Sequence, residues 1–319
     1  MILAFVRLPE TSADSATPVL VRANRLVRMG DFVILCQFND NRLGLVDNGF
    51  VRDVTSVLDA LPSHRYPYPT GDALIAALPE LRERISIAAA QAQPAPVSKA
   101  RLLSPVANAS KIVAAPVNYK KHLEEVIANP ALHQQSKLHT QEIHKTGLFL
   151  KATSSVIGPS QEVVIRHPDR RTDHEVELAV IIGKRAKSVR SEEALHFVAG
   201  YCIGLDISVR GPEERSLRKS LDTYTVLGPW LVTTDEMPDP SNLDLSITVN
   251  GELRQHGNTR DLILGVPELI EFATSFYTLF PGDVLLTGTP EGVAPIQPGD
   301  LMEARIEGIG EMAVYVRGA

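Results

Sequence analysis

The sequence predicts an α+β protein made mostly of β-strands. Short apolar runs typical of strands recur through the larger, C-terminal part of the chain, at 111–115, 147–151, 175–182, 201–207, 245–249, 284–287 and 301–316. Turn-forming residues separate several of these runs, as at Asn250-Gly251 and Pro298-Gly299-Asp300. The two clearest helical segments of this part are 191–198 and 266–280, and the second repeats apolar residues at helical spacing. Strands therefore dominate the prediction.

A smaller α+β region precedes this part. Strand-type runs joined by short turns are expected at 32–38, 43–46 and 50–54. The Asn48-Gly49 pair provides the positive φ angles that a tight hairpin requires. A helical region follows at 72–92, in which we expect Pro79 to begin a second segment. The stretch 91–110 is rich in Ala, Pro and Ser, a composition typical of a linker.

These patterns divide the chain into three parts. Met29 opens the first well-patterned segment, so we expect residues 1–28 to be a disordered extension or the product of an upstream start codon. Residues 29–105 are predicted to form the small domain with its linker. Residues 106–319 form the larger domain, which contains the chemically suggestive motifs.

Composition excludes several classes of function. The chain has 319 residues, of which 44% are hydrophobic, so it can form a sizeable core. A net charge of -6 argues against nucleic acid as a partner. No apolar run approaches the roughly 20 residues that span a membrane. Cys36 and Cys202 show no pairing pattern, which favours buried thiols in a reducing, cytoplasmic compartment.

Three acidic residues indicate a metal site. Glu175 and Glu177 lie two apart on a predicted strand, so their side chains point the same way, roughly 6 to 7 Å apart. Two carboxylates this close need a positive charge between them, or one must hold a proton. Asp206 interrupts the next apolar run, and three oxygen ligands suit Mg²⁺ or Mn²⁺. The same spacing is also common on the exposed face of an antiparallel sheet, but the apolar run after Glu177 argues against that interpretation.

A histidine and a glutamate form a second candidate group. His122 and Glu125 are three residues apart in a segment predicted to begin a short helix, so they share one face. A carboxylate beside an imidazole fixes the ring orientation and raises its basicity, as a general base requires. Spacing alone favours the alternative interpretation, an ordinary helical ion pair.

Four motifs in order resemble the successive signatures of the fumarylacetoacetate hydrolase family. They are Glu175 through Gly183, Ala199 through Asp206 to Arg210, Gly228-Pro229-Trp230, and Thr287 through Val293. The resemblance runs from about Lys111 to the C-terminus. It implies a compact, mixed β-roll as the catalytic domain, a smaller N-terminal α+β domain, and a homodimer. It also implies that Glu175, Glu177 and Asp206 hold a divalent ion.

The resemblance further assigns roles to residues around the acids. It implies that His122 and Glu125 activate water within a mobile lid, and that Lys219 is the family lysine that stabilises an enolate. Arg210 is expected beside the substrate. Many members have Asp and Gln where this chain has Gly211 and Glu213, so the substrate-carboxylate end of the pocket is expected to differ.

Two further substrate-binding residues and a lid complete the expected site. Tyr119 precedes the predicted helix of His122, and Thr289 lies in a glycine-containing turn where the family binds the keto-acid end of its substrate. The segment 128–145 is polar and contains three histidines at spacings that fit no fixed metal geometry. We interpret it as a solvated lid, with transition-metal binding as the less favoured alternative.

Together these groups predict a metal-dependent hydrolase. The leading hypothesis is cleavage of a carbon–carbon bond in a 2,4-diketo acid, an acylpyruvate such as fumarylpyruvate, maleylpyruvate or fumarylacetoacetate from aromatic catabolism. Two alternatives share the enolate chemistry: decarboxylation of oxaloacetate and isomerisation of an unsaturated keto diacid. A third hypothesis is a non-catalytic module that the metal merely stabilises. The expected partner is a small keto acid, without nucleic acid or membrane.

Overall fold

The computed structural model of the protein describes residues 33–133 and 141–319. The predicted extension at 1–28 lies outside these residues. The predicted lid at 128–145 is described only at its two ends, and His139 falls in the part that is not described.

The N-terminal part contains a β-hairpin, a third strand and one long helix. Its strands are β1 (Ile34–Phe38), β2 (Arg42–Asp47), β3 (Phe50–Asp53) and β4 (Pro94–Pro96). Helix α1 (Ala73–Gln91) separates β3 from β4, with 3₁₀ turns at Thr55–Ala60 and Val97–Lys99. The three predicted strand runs and the helical region are therefore confirmed.

The larger part is built from short strands. They are β5 (Ile112–Ala114), β6 (Phe149–Lys151), β7 (Val156–Ile157), β8 (Val163–Ile165), β9 (Thr172–His174), β10 (Val176–Ile182), β11 (Val198–Asp206), β12 (Ser208–Val209), β13 (Thr225–Thr233), β14 (Asp244–Val249), β15 (Glu252–Asn258), β16 (Val284–Leu286), β17 (Ala294–Pro295), β18 (Leu301–Ile306) and β19 (Gly310–Gly318). Its helices are α2 (Lys120–Ala128), α3 (Pro130–His133), α4 (Ile143–Thr146), α5 (Arg215–Lys219) and α6 (Val266–Phe276). The 3₁₀ turns are Thr153–Ser155, Ser191–Phe197 and Thr259–Asp261.

The strands form three sheets. The main sheet has the order β4-β3-β2-β1-β13-β11-β10-β16-β5-β6, with β7 paired to β13. A three-stranded sheet has the order β12-β9-β17, and a five-stranded sheet the order β15-β14-β18-β19-β8. Most pairs are antiparallel, whereas β16 with β5, β13 with β7 and β19 with β8 are parallel. The predicted α+β class, mostly β with mixed sheets, is confirmed.

The centre of the main sheet is its most buried region. Every residue of β10 is buried, because one face of the strand packs in a cluster with α6 and the five-stranded sheet and the other face packs in a cluster with α1. Strands β10 and β11 pair along most of their length, with Glu177 opposite Gly204. Polar groups on these two strands therefore lie in a low-dielectric interior, where charge costs most.

The N-terminal strands belong to the same sheet as this centre. Strand β1 pairs with β13, with Ile34 opposite Val232. Part of the segment predicted as a linker, 91–110, forms β4, which pairs with β3, and Leu102 bridges to Phe38. The domain division at residue 105 stays a prediction.

The interpretation of Pro79 as the start of a second helical segment is wrong. Helix α1 runs without a break through Pro79, and Asp72 caps it by accepting hydrogen bonds from the amides of Leu74 (3.0 Å) and Ile75 (3.1 Å). Proline removes one internal hydrogen bond. The buried face of the helix, which includes Leu78 and Ile85, packs against the N-terminal strands and outweighs that loss.

Two helix predictions in the larger part also need correction. The segment 191–198 is a 3₁₀ helix, Ser191–Phe197, and α6 ends at Phe276 instead of residue 280. The apolar run 301–316 is two strands, β18 and β19, joined by a turn. Between residues 33 and 133 and between 141 and 319, no helix has both the length and the apolar content needed to cross a bilayer.

Candidate metal centre and active site

The three predicted acidic ligands lie together. Glu175 immediately precedes β10, Glu177 lies within it, and Asp206 ends the neighbouring strand β11. The amide of Asp206 donates to the carbonyl of Glu175 at 2.9 Å, which brings the two strand ends into register. Each residue is at most 4% exposed, and one carboxylate oxygen from each lies within 4.8 Å of the others. We call these three residues the carboxylate cluster.

Three cations surround the carboxylate cluster. Lys219 Nζ lies 2.6 Å from Glu175 Oε2 and 2.7 Å from Asp206 Oδ2. Lys151 Nζ donates to Asp206 Oδ1 and, at 2.8 Å, to the carbonyl of Tyr224. Arg210 Nη2 donates to Glu175 Oε1 at 3.0 Å. Two of the three carboxylates are therefore paired directly with positive charge.

Glu177 is the exception in the cluster. Its carboxylate accepts a hydrogen bond from the amide of Gly288 at 2.7 Å, and no Lys, Arg or His among residues 33–133 and 141–319 forms an ion pair with it. Burial, and then the charge of Asp206, raise the pKa of Glu177 well above its ordinary value. A divalent cation would supply the missing positive charge, and an all-oxygen donor set is what Mg²⁺ and Mn²⁺ prefer. The residues fit such an ion.

Glu175 is in the opposite electrostatic state. Burial alone would raise its pKa, but the charges of Lys219, Arg210 and His122 outweigh burial and hold its pKa well below the ordinary value. Glu175 therefore remains a carboxylate with strong donors already in place. The sequence predicted that two carboxylates this close need either a cation between them or a raised pKa. In the structure, cations stabilise Glu175, whereas Glu177 has the raised pKa.

Arg210 is held by carboxylates of the protein. Its Nε donates to Asp173 Oδ2 at 2.7 Å, and the side chain is only 10% exposed. Asp173 also accepts from Arg171 Nε at 2.7 Å. Arg210 therefore pairs with Asp173 and Glu175, and its contact with substrate stays a prediction.

The predicted pair His122 and Glu125 lies on α2. His122 Nδ1 and Glu125 Oε2 are 2.9 Å apart, and Glu125 Oε1 accepts from the amide of Gly292 at 3.1 Å. His122 is 4% exposed, and its charge influences the pKa of Glu175, which places it beside the carboxylate cluster. An ordinary surface ion pair would be neither buried nor anchored from a second loop.

Tyr119 stands just before α2 and is also close to the cluster. It is 2% exposed, and its hydroxyl has no hydrogen-bond partner among the described residues. Burial, and then the charge of Glu177, raise the pKa of Tyr119. A buried hydroxyl without a partner costs free energy, so this group is suited to a ligand.

Thr289 lies in the turn after β16. Its hydroxyl donates to the carbonyl of Val176 at 2.8 Å and accepts from Gln255 Nε2 at 2.8 Å, so its proton is already used. No described residue accepts from its backbone amide. Gly288, before it, has a φ of +96°, and a Cβ there would lie 2.8 Å from Cβ of Asn118. Glycine is therefore required for the turn to approach the segment that leads into α2.

Sequence reasoning missed two buried residues that support the site. Gln255 on β15 accepts from the amide of Val176 at 3.1 Å and donates to the carbonyl of Pro290 at 2.7 Å, so it ties β10 to the turn of Thr289. The polar sequence of β15 carries no signal for it. Lys151 could have been found, because a lone lysine ending an apolar strand is unusual.

The two departures from the family pattern have a structural explanation. Glu213 forms two hydrogen bonds with Arg170, at 3.1 and 2.7 Å. The same guanidinium donates to the carbonyl of Arg210 and fills the space that a side chain at Gly211 would occupy. Glu213 therefore pairs with Arg170 instead of supplying a substrate contact.

Comparison with known proteins extends these observations. Residues 111–317 match the family described as fumarylacetoacetate (FAA) hydrolase C-terminal. A maleylpyruvate hydrolase from Aquipseudomonas alcaligenes is 57% identical over 283 residues, which cover 89% of this chain and 99% of that protein.

Two crystal structures are similar along nearly the whole chain. One is a maleylpyruvate hydrolase from Sphingobium sp. SYK-6 in complex with manganese (II) ion and pyruvate, at 39% identity and a TM-score of 0.76, covering 90% of this chain and 99% of that one. The other is a probable 2-hydroxyhepta-2,4-diene-1,7-dioate isomerase from Mycobacterium abscessus, at 26% identity and a TM-score of 0.72, with the same coverage. The resemblance carried by the motifs is confirmed, and this chain belongs to the fumarylacetoacetate hydrolase family.

Proposed function

We propose that this protein is a metal-dependent hydrolase that cleaves an acylpyruvate into pyruvate and a carboxylic acid, with maleylpyruvate as the first candidate substrate. The observation that carries the proposal is the pair of buried His122 and half-buried Glu125 beside the carboxylate cluster. The 57% identity to a maleylpyruvate hydrolase, over 99% of that protein, supports both the reaction and the acyl group.

The carboxylate cluster would hold the cofactor, Mg²⁺ or Mn²⁺. Bound there, the cation would supply Lewis-acid polarisation of the 2-keto and carboxylate oxygens of the substrate. Manganese (II) and pyruvate in the Sphingobium complex support this choice. Lys151 and Arg210 hold Asp206 and Glu175 in place, and ligands fixed in this way lose little freedom on binding.

His122 is positioned to activate water. Glu125 accepts from Nδ1–H of His122, which leaves the lone pair of Nε2 to take a proton from a water molecule. Gly292 holds Glu125 through its backbone amide, so the pair is oriented from outside α2. The hydroxide oxygen then attacks the carbonyl at C4 of the acylpyruvate.

Cleavage of the C3–C4 bond follows from that attack. The electron pair of the broken bond moves to the pyruvate fragment as its enolate, and the acyl carbon leaves as a carboxylic acid. Lys219 has a third N–H beyond the two used by Glu175 and Asp206, and it stabilises the developing negative charge. Protonation at C3, with the proton that His122 received, completes pyruvate.

Two groups would bind the keto-acid end of the substrate. The amide of Thr289 has no described acceptor, and the hydroxyl of Tyr119 has no described partner. The Thr289 hydroxyl donates to the carbonyl of Val176, the residue between Glu175 and Glu177, and the charge of Glu177 raises the pKa of Tyr119. Donors of this kind suit the carboxylate of a pyruvate moiety.

The proposal is tested by pyruvate release from maleylpyruvate, fumarylpyruvate, acetylpyruvate and oxaloacetate by the metal-loaded protein. We expect turnover of an acylpyruvate that is lost in Glu175→Ala and falls at least 100-fold in His122→Ala. His196→Ala is the matched control, because His196 is exposed and lies on a 3₁₀ helix remote in the chain from α2. Release of pyruvate from oxaloacetate alone would replace the hydrolase with a decarboxylase.

The Mycobacterium abscessus relative supports a second candidate, isomerisation of an unsaturated keto diacid. Isomerisation moves a proton next to the 2-keto group and consumes no water, so it would convert the substrate into an isomer without releasing pyruvate, which distinguishes it from hydrolysis. If no substrate is converted and metal only raises the melting temperature, the protein is a metal-stabilised binding module.

We also propose a homodimer in the cytoplasm. Phe276, 64% exposed on α6, stacks edge-on with Phe272 at 5.3 Å and offers an aromatic contact surface for the dimer.

The cysteines support the compartment. Cys36 and Cys202 are buried and free, as expected in a reducing compartment. Light scattering of the wild type and Phe276→Ser tests the dimer, and cell fractionation tests the compartment; a wild-type monomer, or a protein outside the cytoplasm, would contradict the corresponding half.

A further inference from the structure

Helix α5 presents two cations on one face. Arg215 and Lys219 are four residues apart, so they are neighbours on the helix surface, separated by about 6 Å along its axis. Leu217, halfway between them, is 60% exposed and marks the opposite, solvent-facing side. The helix packs against β6 and β12, beside the carboxylate cluster. Lys219 contacts that cluster, so Arg215 lies one helical turn further from it.

Phe149 of β6 supports both cations. The centre of its ring lies 5.5 Å from Lys219 Nζ and 5.6 Å from the guanidinium carbon of Arg215. The ring itself is 5% exposed. A buried aromatic surface under two cations holds them in place without neutralising either charge. The surface between the charged groups of Lys219 and Arg215 is therefore the apolar ring of Phe149.

Arg215 lacks the partners that the other arginines of this region have. Arg170 pairs with Glu213, and Arg210 pairs with Asp173 and Glu175. Arg218 donates to the carbonyls of Glu213 and Val209 at 2.8 and 3.3 Å. Within residues 33–133 and 141–319, no group accepts a hydrogen bond from Arg215, although its side chain is half-buried.

The surroundings of Arg215 favour an anion. Burial, and then the charge of Arg218, lower the pKa of Arg215 to about 10. The negative charges of Glu175 and Asp206 act in the opposite direction, which shows that Arg215 is close enough to sense the carboxylate cluster. A half-buried guanidinium without an acceptor retains unused donors, and a carboxylate is the group that matches its planar fork.

We infer that Arg215 binds the distal carboxylate of the acyl group, so the protein selects acylpyruvates whose acyl group ends in a second acid. The inference rests on the proposed function. In such a substrate, five bonds of about 1.5 Å separate the 2-keto carbon from the distal carboxyl carbon, and in an extended zigzag chain they span roughly 6 Å. That length matches the step from Lys219 to Arg215 along α5, and the acyl carbons would lie over Phe149.

The experiment compares two substrates in Arg215→Gln. We expect KM for maleylpyruvate to rise about 10- to 100-fold, which is the effect of losing a hydrogen bond between charged groups. For acetylpyruvate, which has no distal carboxylate, we expect kcat and KM to stay within about twofold of wild type. Arg215→Lys keeps the positive charge but loses the planar guanidinium that can form two hydrogen bonds with a carboxylate. Its affinity for maleylpyruvate should therefore lie between those of Arg215→Gln and wild type.

Arg166→Gln is the matched control, since it removes one exposed arginine whose partner is Asp222. It should leave the ratio of kcat/KM between the two substrates unchanged. An equal loss on both substrates in Arg215→Gln, or no loss on either, overturns the inference. A wild-type protein that releases pyruvate from neither substrate overturns the proposed function, and the inference with it. If Arg215→Gln fails to fold, the comparison of maleylpyruvate with acetylpyruvate in Arg215→Lys tests the inference instead.

Discussion

Two fully buried carboxylates of this protein have opposite surroundings. Asp283, 0% exposed, accepts hydrogen bonds from the amides of Ser110, Lys111 and Phe280 at 2.8 to 3.0 Å, and from Ser110 Oγ and Lys111 Nζ at 2.6 Å. Glu177, 1% exposed, accepts one from Gly288 and has Asp206 and Glu175 as negative neighbours. Both are acids removed from water, yet only one is neutralised by the protein.

The number of hydrogen-bond donors distinguishes a buried carboxylate that stabilises the fold from one that serves a ligand site. A carboxylate with five donors is fully satisfied and holds the loops around it together. A carboxylate with one donor and two like charges destabilises the metal-free protein, and it is retained because a ligand can use it. Donor count around a buried acid therefore predicts which substitution damages stability and which damages activity.

The largest expected effect is on activity, in Glu177→Gln. Loss of a proposed metal ligand should lower kcat/KM at least 1,000-fold. The metal-free protein should melt at the same temperature or higher, because the amide replaces a buried acid whose ionisation is opposed by burial and by Asp206. Steady-state kinetics and thermal melts in chelator measure both, with Glu80→Gln on the exposed side of α1 as control. A clear fall in the melting temperature of the metal-free variant would contradict the inference that Glu177 destabilises the metal-free protein.

Asp283→Asn should show the reverse pattern. An amide cannot accept from all five donors, and it leaves Lys111 without its partner, so the free energy of unfolding should fall by about 3 kcal/mol. The folded fraction should keep kcat within about twofold, because no proposed site residue contacts Asp283. Denaturant unfolding followed by assay in buffer measures this. Asp59→Asn, on the surface, serves as control.

A smaller effect is expected in Lys151→Met. The lysine orients Asp206 and bonds the carbonyl of Tyr224, and the methionine fills a similar volume without donors. Loss of such a supporting contact typically weakens metal binding about 10-fold or more. Manganese titration gives the affinity, with the exposed Lys99→Met for comparison. Tighter binding in Lys151→Met would mean that charge repulsion from the lysine matters more than the orientation it provides.

The smallest effect concerns a half-buried carboxylate, Asp235. Burial would raise its pKa, but hydrogen bonds, including those from Arg82 at 2.6 Å, lower its pKa below the ordinary value. The pair therefore contributes stability above about pH 4 and loses it as the pH falls through the lowered pKa. Arg82→Gln should cost less than about 1 kcal/mol at pH 7 and a smaller amount near pH 2. Unfolding curves at both pH values measure this, and a loss that persists undiminished in acid would exclude the ion pair as its source.

The parts of the site that could be predicted have short-range patterns. Glu175 and Glu177 follow from strand alternation, and His122 and Glu125 from helical spacing. Most strands of the larger part were also predicted, because apolar runs between turn residues are visible within a few residues.

The parts that could not be predicted depend on partners distant in sequence. Strand β13 contains Gly228-Pro229, a pair that locally indicates a turn, yet both its neighbours in the main sheet hold it extended. Strand β15 is polar and exists because β14 pairs with it. Arg215 lies in a mixed-charge run typical of a surface loop, and only the position of α5 beside β6 gives it a role.

The pairing of β1 with β13 has a consequence for the order of folding during synthesis. Roughly 190 residues separate Phe38 from Thr225 along the chain. At ordinary translation rates, the first hairpin therefore leaves the ribosome about 10 to 40 seconds before the strand that completes it. During that interval the edge of β1 is unpaired and open to other chains, a recognised hazard for aggregation. Chaperone dependence and inclusion-body formation should therefore fall when translation is fast, or when a fragment containing β13 is supplied in trans.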